Sequence, residues 1–296
     1  MNKAFAGYHP IINFLYFTLV LFCSMFFMHP VCLAISLSCA FTYSVMLKGK
    51  KALVFNLKYM LPMIIVAALI NPAFNHEGVT IITYLKSGNP LTLESIVYGI
   101  AASTMIFTVL CWFSCYNEIM TSDKFIYLFG RLIPALSLIL SMTLRLVPRF
   151  KAQLKVISNA QKCIGRDVSN GGVLARARHG IKILSIMVTW ALENAIETAD
   201  SMKSRGYGLT GRTAFSIFRF DQRDKRTLCV IGGTGLYVLI GFFIGSLKWR
   251  YFPSMKGTRL TNYSLSVLVA YFLLGIWPIA IELWEERKWK LLKSST

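Results

Sequence analysis

Six stretches of this chain are apolar over much of the length that crosses a bilayer, and almost no charge interrupts them. They run from Ile11 to Met28, Val31 to about Leu47, Tyr59 to about Ile70, Ser95 to about Cys115, Leu228 to Leu247 and Asn262 to about Leu283. A hydrocarbon core about 30 Å thick takes about 20 residues of helix, and within it every backbone N–H and C=O must be paired inside the protein. With 55% hydrophobic residues in 296, those conditions point to an all-α polytopic integral membrane protein with about six transmembrane helices.

Punctuation between the runs sets their connections. His29-Pro30 marks a turn, so the first two runs form a helical hairpin. Lys48-Gly49-Lys50-Lys51 follows directly, and a basic cluster there places that loop, and with it the N-terminus, in the cytoplasm. No small-residue cleavage pattern follows the first run, which is expected to remain as the first membrane helix. After Ile70, the segment Asn71-Pro72-Ala73-Phe74-Asn75-His76-Glu77-Gly78 is expected to stop a helix and begin an extended stretch. Val79 to Tyr84 is β-branched and reads as a short strand or hairpin arm, outside or lining a cavity.

The seven cysteines lie mostly within apolar runs and show no paired spacing. Cys111 and Cys115 share a helix face and read as small buried hydrophobes.

Between Arg145 and Arg226 the chemistry changes: 16 Lys and Arg stand against six Asp and Glu, ten of the chain's +19 charges in 82 residues. Loops this basic stay on the cytoplasmic side. Before it, Phe125 to Val147 is apolar but broken by Arg131, Pro134 and Arg145. It either crosses the membrane, turning the basic block outward, or lies at the interface, which keeps the block inside and is preferred. After Pro148 the pattern predicts a helix from Arg149 to Cys163, a break at Gly165 and Asn170-Gly171-Gly172, and a second helix from about Leu174 to Arg205. In that helix Ile181, Leu184, Val188, Leu192, Ala195, Ala199 and Met202 form an apolar stripe. Lys182, Ser185, Thr189, Glu193, Glu197 and Asp200 oppose it, so the helix is amphipathic rather than spanning.

Three regions follow: membrane helices over 1–120, a cytoplasmic or interfacial region of basic, amphipathic helices over 121–226, and membrane helices over 227–296. The last span leaves the C-terminus cytoplasmic. Lys248 to Arg259, with four basic residues, then lies outside, against the charge bias that the larger block sets.

No Walker A loop, nucleophile elbow or His-Glu-x-x-His helix occurs, and His9, His29, His76 and His179 are scattered. No catalytic residue, cofactor or metal ligand is therefore expected, and no nucleic-acid module is present. Ser204-Arg205-Gly206 has two readings. Gly supplies a left-handed helix terminus and Arg faces the negative end of the dipole, or Arg205 projects into a groove on another subunit, where its fork meets carboxylates or carbonyls. A stand-alone permease is the alternative for the whole chain, and would call for charges lining a route through the spans. A membrane-embedded enzyme would call for polar catalytic groups converging at one depth.

Several segments in order carry a likeness: Leu69 to Gly78, with Asn71 and Pro72; Leu93-Glu94 with Tyr98-Gly99; Thr143-Leu144-Arg145-Leu146-Val147-Pro148; and Ser204-Arg205-Gly206-Tyr207-Gly208 with Gly211-Arg212-Thr213. Over roughly residues 60 to 226 the chain resembles the transmembrane T component of energy-coupling factor (ECF) type ABC transporters. The resemblance implies a non-catalytic scaffold in the cell membrane, with two ABC-type ATPase subunits and a small membrane S component that binds a vitamin, cobalt or nickel. Two coupling helices in that family each end in an Ala-Arg-Gly-like tripeptide gripped by the ATPases. Ser204-Arg205-Gly206 matches the second. The first falls at Lys162-Cys163-Ile164-Gly165-Arg166, with Ile164 where Arg is expected and Lys162 or Arg166 as candidate substitutes. If the coupling region is cytoplasmic, a cysteine placed at position 205 reacts with a membrane-impermeant thiol reagent only after cells are opened. Labelling in intact cells contradicts the topology.

Overall fold

Each apolar run becomes a helix, and the breaks fall where proline, glycine or a polar cap interrupts the hydrogen-bond ladder. A computed structural model describes residues 4–84, 90–130, 134–169, 172–207, 218–258 and 261–294. Lys3, Arg131, Asn170, Gly171, Gly208, Gly211, Arg212, Thr213 and Arg259 lie outside the described residues. The chain divides by its contacts into two units, Met1–Thr121 with Phe218–Thr296, and Ser122–Ile217.

The first unit holds α1 (Pro10–Phe26), α2 (Pro30–Lys48), α3 (Lys50–Phe55), α4 (Leu61–Phe74) and α5 (Leu93–Ile119). After residue 217 it resumes with α9 (Gln222–Ile244) and α10 (Asn262–Ser294). A π-helical turn, Asn56–Met60, joins α3 to α4, so Lys50–Phe74 runs as one helix. Among the described residues, five helices are long and apolar enough to cross a membrane: Pro30–Lys48, Lys50–Phe74, Leu93–Ile119, Gln222–Ile244 and Asn262–Lys293. Pro10–Phe26 is equally apolar at 17 residues, about 25 Å of helix. The protein is a multi-pass membrane protein.

Both α1 and α2 begin in the same way. His9 and His29 each precede a proline at the first helical position, where a missing N–H costs nothing. Each imidazole Nδ1 accepts from the backbone N–H two residues on, at 3.3 Å. The two histidines cap helices.

Two helix boundaries differ from the sequence expectation. The basic turn after α2 shrinks to Gly49, with Lys50 already starting the next helix. The helix expected to stop at Ile70 continues through Pro72 to Phe74, because a proline removes only one ladder bond and its neighbours in α5 fix the backbone. Beyond it, β1 (Ile81–Tyr84) pairs antiparallel with β2 (Pro90–Thr92), as the β-branched run suggested. A second hairpin, β3 (Trp249–Arg250) with β4 (Lys256–Gly257), occupies the basic connection between α9 and α10.

Within this unit α2 packs on α5 and α10, α4 on α5, α9 on α10, and α1 on α5 and α9. The core gathers Tyr16, Phe17, Tyr43, Trp112, Ile231 and Leu274. Cys111 and Cys115 are buried there as free thiols. One buried polar contact joins three helices: Ser24 Oγ of α1 lies 2.8 Å from Ser36 Oγ of α2, which also accepts from Trp112 Nε1 of α5 at 3.1 Å.

Polar contacts also identify two ends of the bundle. At one, Glu282 accepts from the backbone N–H of Ala4 and Phe5 at 2.9 and 3.3 Å. Asp224 accepts from the N–H of His9 at 3.3 Å, and Lys48 donates to Ser114 at 2.7 Å. At the other, the Tyr251 hydroxyl donates to the Met28 carbonyl at 2.8 Å, the Tyr98 ring meets Tyr251 edge-on and Phe252 at a tilt, and His29 meets Trp249 edge-on. The N-terminus, the ends of α2 and α5, the start of α9 and the second half of α10 therefore share one end.

The second unit contains α6 (Ser122–Gly130), α7 (Pro134–Cys163) and α8 (Val173–Ser204), none of them among the candidate spans. The helix expected to start after Pro148 instead begins at Pro134 and runs through Pro148. The proline deprives only the Leu144 carbonyl of a helical donor, and the apolar residues before it extend the helix. α7 and α8 pack together, with Phe150 and Trp190 ring centroids 5.7 Å apart and Arg149 over the Trp190 ring. Ile157 and Ile183 are buried between them.

The packed stripe of α8 is not the one expected from the sequence. Ile183, Met187, Trp190, Asn194 and Thr198 turn inward, while Ile181, Leu184, Val188 and Leu192 are 51–68% exposed. Both stripes recur at steps of three or four; the aromatic contact with Phe150 selects the first.

Removing one member of the Ser24–Ser36–Trp112 contact leaves an indole N–H unpaired in an apolar interior. Ser36→Ala is expected to destabilise the bundle by about 1 kcal/mol, read by thermal unfolding in detergent. The same change in a Trp112→Phe background should cost less, and equal costs would show that the bond contributes nothing.

Candidate functional site

The motif residues near α4 and α5 come together around one carboxylate. Glu94, in the first turn of α5, is 2% exposed. Both its oxygens accept from the Thr80 backbone N–H at 3.3 Å, and Oε1 also accepts from the Thr80 hydroxyl. Thr92 Oγ1 donates to the Glu77 carbonyl at 2.8 Å. Ser95 Oγ donates to the Asn75 carbonyl at 2.6 Å and reaches Asn71 Oδ1 at 3.5 Å.

One turn further along, a Cβ at Gly99 would fall 2.6 Å from the Ala68 carbonyl oxygen, 3.1 Å from Asn71 Cβ and 3.4 Å from Pro72 Cδ. Only a residue without a side chain lets the two helices meet there. Asn71, Pro72 and Glu94 thus join α4, α5 and the β1–β2 hairpin. Thr80, Ser95 and Gly99 complete the joint, and spacing alone does not single out the first two.

Arg145 and Pro148 lie elsewhere, exposed on α7.

The two long helices of the second unit end in the same backbone turn. At α8, Arg205 closes the helix and Gly206 takes φ +70°. The Gly206 N–H donates to the Lys203 carbonyl at 2.9 Å and the Tyr207 N–H to Met202 at 3.0 Å. At α7, Gly165 takes φ +76°, its N–H donates to Lys162 at 3.0 Å and the Arg166 N–H to Gln161 at 2.9 Å. Both have the paired bonds of a Schellman terminus.

Residue by residue, Cys163-Ile164-Gly165 occupies the backbone positions of Ser204-Arg205-Gly206, and Arg166 those of Tyr207. Ile164 is 64% exposed at the tip where the other end carries Arg205.

Lys162, Asp167 and Arg176 near the α7 terminus turn onto the loop that follows it. Lys162 Nζ lies 3.5 Å from Asp167 Oδ2. Asp167 also accepts from the Ser169 N–H at 3.1 Å and the Ser169 hydroxyl at 2.6 Å. Those bonds, with the Lys162 charge, hold its carboxyl below the usual carboxylate range. Arg176 Nε donates to the Val168 carbonyl at 2.8 Å and closes the turn.

α8 has 32 residues, which at about 1.5 Å per residue puts roughly 48 Å between its ends. Because α7 ends one loop before α8 begins, the two termini are on the order of that distance apart and cannot share one pocket. Among the described residues, no group of three or more His, Cys, Asp or Glu comes together to hold a metal ion.

A sequence profile for the family described as CbiQ, cobalt transport protein, matches residues 8–215. The energy-coupling factor transporter transmembrane protein EcfT of Lactobacillus helveticus is 34% identical over 97 residues, 32% of this chain and 35% of that protein. The protein of the same name from Leuconostoc gelidum subsp. gasicomitatum is 33% identical over 113 residues, 38% of this chain and 41% of that one. An uncharacterized protein, MG181 homolog, of Mycoplasma pneumoniae is 27% identical over 177 residues, 56% of this chain and 40% of its own length. The chain thus spans 35–41% of the length of these curated relatives.

Glu94→Ala would leave the Thr80 donors unpaired beneath the hairpin, whereas Glu94→Gln keeps the shape and loses the charge. The expected cost is about 1–3 kcal/mol for Ala and less for Gln, measured by thermal unfolding in detergent. Equal stability of all three proteins would show that the hairpin needs no such anchor.

Proposed function

The chain belongs to the family described as CbiQ, cobalt transport protein, and on that premise we propose that it is the transmembrane coupling subunit of an ECF-type importer. It takes up a vitamin or transition-metal ion together with two ABC-type ATPase subunits and a small membrane S component. The observation that carries this reading is the pair of matching helix termini at Gly165 and Gly206, set roughly 48 Å apart by the length of α8. Two ATPase subunits that close on ATP and open after hydrolysis offer two separated grooves, and two helix ends of one form suit them.

In this scheme Ser204, Arg205 and Gly206 dock on one ATPase, and the α7 terminus, with Lys162, Gly165 and Arg166 around its tip, docks on the other. Residues 121–226 form the coupling region. Charge supports its orientation: the bundle end that holds Lys48, Lys50 and Lys51, the start of α9 and the basic half of α10 faces the cytoplasm. The exposed stripe of Ile181, Leu184, Val188 and Leu192 offers the S component an apolar surface. The S component reads the cargo. ATP hydrolysis belongs to the partners, since this chain carries no Walker A sequence.

Arg205→Ala is expected to leave membrane insertion intact while ATP-driven uptake and the amount of ATPase retained by the tagged protein fall at least about tenfold. That corresponds to about 1.4 kcal/mol or more of lost contact. Unchanged uptake and docking would make Arg205 a helix terminator only. Transport by the purified chain alone in liposomes without ATP would point to a permease.

A further inference from the structure

The connection between α9 and α10 carries Lys248, Arg250, Lys256 and Arg259 and no acidic residue. It closes the bundle end opposite Lys48, Lys50 and Lys51, where the charge bias of membrane proteins disfavours such a cluster. We propose that the β3–β4 hairpin binds the head-group phosphate of an anionic phospholipid, of the phosphatidylglycerol type, in the outer leaflet. The inference goes beyond the coupling function and rests only on the orientation given with it.

The register of the hairpin places the cations together. Arg250 stands directly opposite Lys256, and Trp249 opposite Gly257. Side chains alternate between the faces of a strand, so the two cations share one face and Trp249 takes the other. A Cβ at Gly257 would overlap the Trp249 ring; without one, the indole lies across the strand, edge-on to His29 with ring centroids 5.2 Å apart. That face is held on the bundle, while Lys248, Arg250 and Lys256 are exposed.

Like charges directly opposite one another weaken a hairpin, and no carboxylate offsets them here. Glu77 and Glu94, the acids at that end, belong to the β1–β2 joint, and among the described residues neither forms an ion pair with the three bases. A phosphate seated between Arg250 and Lys256 removes the repulsion: the guanidinium donates to two of its oxygens, and the ammonium adds a point charge.

Apolar surface beside the cations selects a lipid over a free phosphate. Phe243 and Ile244, at the end of α9, are 79% and 67% exposed, and only three residues separate them from Lys248. Trp249, Tyr251 and Phe252 add the aromatic side chains that suit the head-group level. Cations set just beyond an apolar helix end match an amphiphile whose phosphate lies just beyond its acyl chains.

The test uses the full chain in lipid nanodiscs of phosphatidylcholine with a minor fraction of brominated lipid, which quenches nearby tryptophan. The share due to Trp249 is the difference between the parent and Trp249→Phe. Brominated phosphatidylglycerol is expected to quench Trp249 at least about threefold more than brominated phosphatidylcholine, given the attraction that each basic residue adds near a surface. Arg250→Gln with Lys256→Gln is expected to abolish the difference, and Lys50→Gln with Lys51→Gln to preserve it. The hairpin change removes a repulsion rather than a contact, so the fold is retained. Sodium phosphate is expected to do no more than sodium chloride of equal ionic strength. In intact cells, Lys256→Cys is expected to react with a membrane-impermeant thiol reagent in excess over the parent.

Equal quenching by the two lipids, or a difference that survives the Arg250 and Lys256 changes, overturns the inference and leaves the coupling function untouched. Specific reversal by phosphate makes the hairpin a site for free anions and overturns the lipid as its ligand. Reaction at position 256 only in opened cells overturns the orientation proposed above, and the outer-leaflet assignment with it.

Discussion

In a bilayer, lipid tails are as apolar as leucine, so burying one helix against another gains little from the hydrophobic effect, and packing falls to close fit and buried hydrogen bonds. The first unit depends on this constraint. Its helices are too uniformly apolar to select a partner by patterning, and the selective contacts are few. Ser24, Ser36 and Trp112 tie α1, α2 and α5. Gly99 lets α5 approach the α4 backbone at Ala68. Glu94 holds the first hairpin over the end of the same pair.

The bundle ends use the same means. Two acidic side chains, Glu282 and Asp224, gather the N-terminal segment onto α9 and α10, and an aromatic group around Tyr98 and Tyr251 closes the opposite end. Tyrosine and tryptophan suit a membrane boundary because their rings are apolar and their polar tips reach water or carbonyls. The bundle of the first unit is thus tied at both ends by polar and aromatic contacts as well as by fit between the helices.

The second unit obeys different rules. α7 and α8 carry charges along their length and pack through one narrow stripe around Ile157, Ile183, Phe150 and Trp190. α7 also packs against α6, while the apolar row of α8 from Ile181 to Leu192 is exposed within this unit. Helices that bury so little against one another are suited to moving with whatever holds their ends, which agrees with the coupling function proposed for them. Membership of the CbiQ family and the likeness to EcfT proteins supply the context for the partners proposed for the two helix tips.

Sequence by itself determined the membrane class, because charge-free apolar runs in a hydrophobic chain admit no other solvent. It also determined the short strand after the third span, from its β-branched residues, and the amphipathic nature of α8, from its periodicity. The terminus at Ser204-Arg205-Gly206 was legible for the same reason: glycine at a helix end has a local cause. Tertiary structure decided the continuation through Pro72, where one missing N–H is outweighed by packing against α5, and α7 also runs on through the exposed Pro148. Tertiary structure also decided which of two apolar stripes on α8 faces α7, a choice made by Phe150, some forty residues away. The equivalence of Gly165 and Gly206 became definite only with their φ angles and closing bonds. A tripeptide's letters differ between the two ends, and only the backbone shows that Ile164 and Arg205 occupy one geometric position.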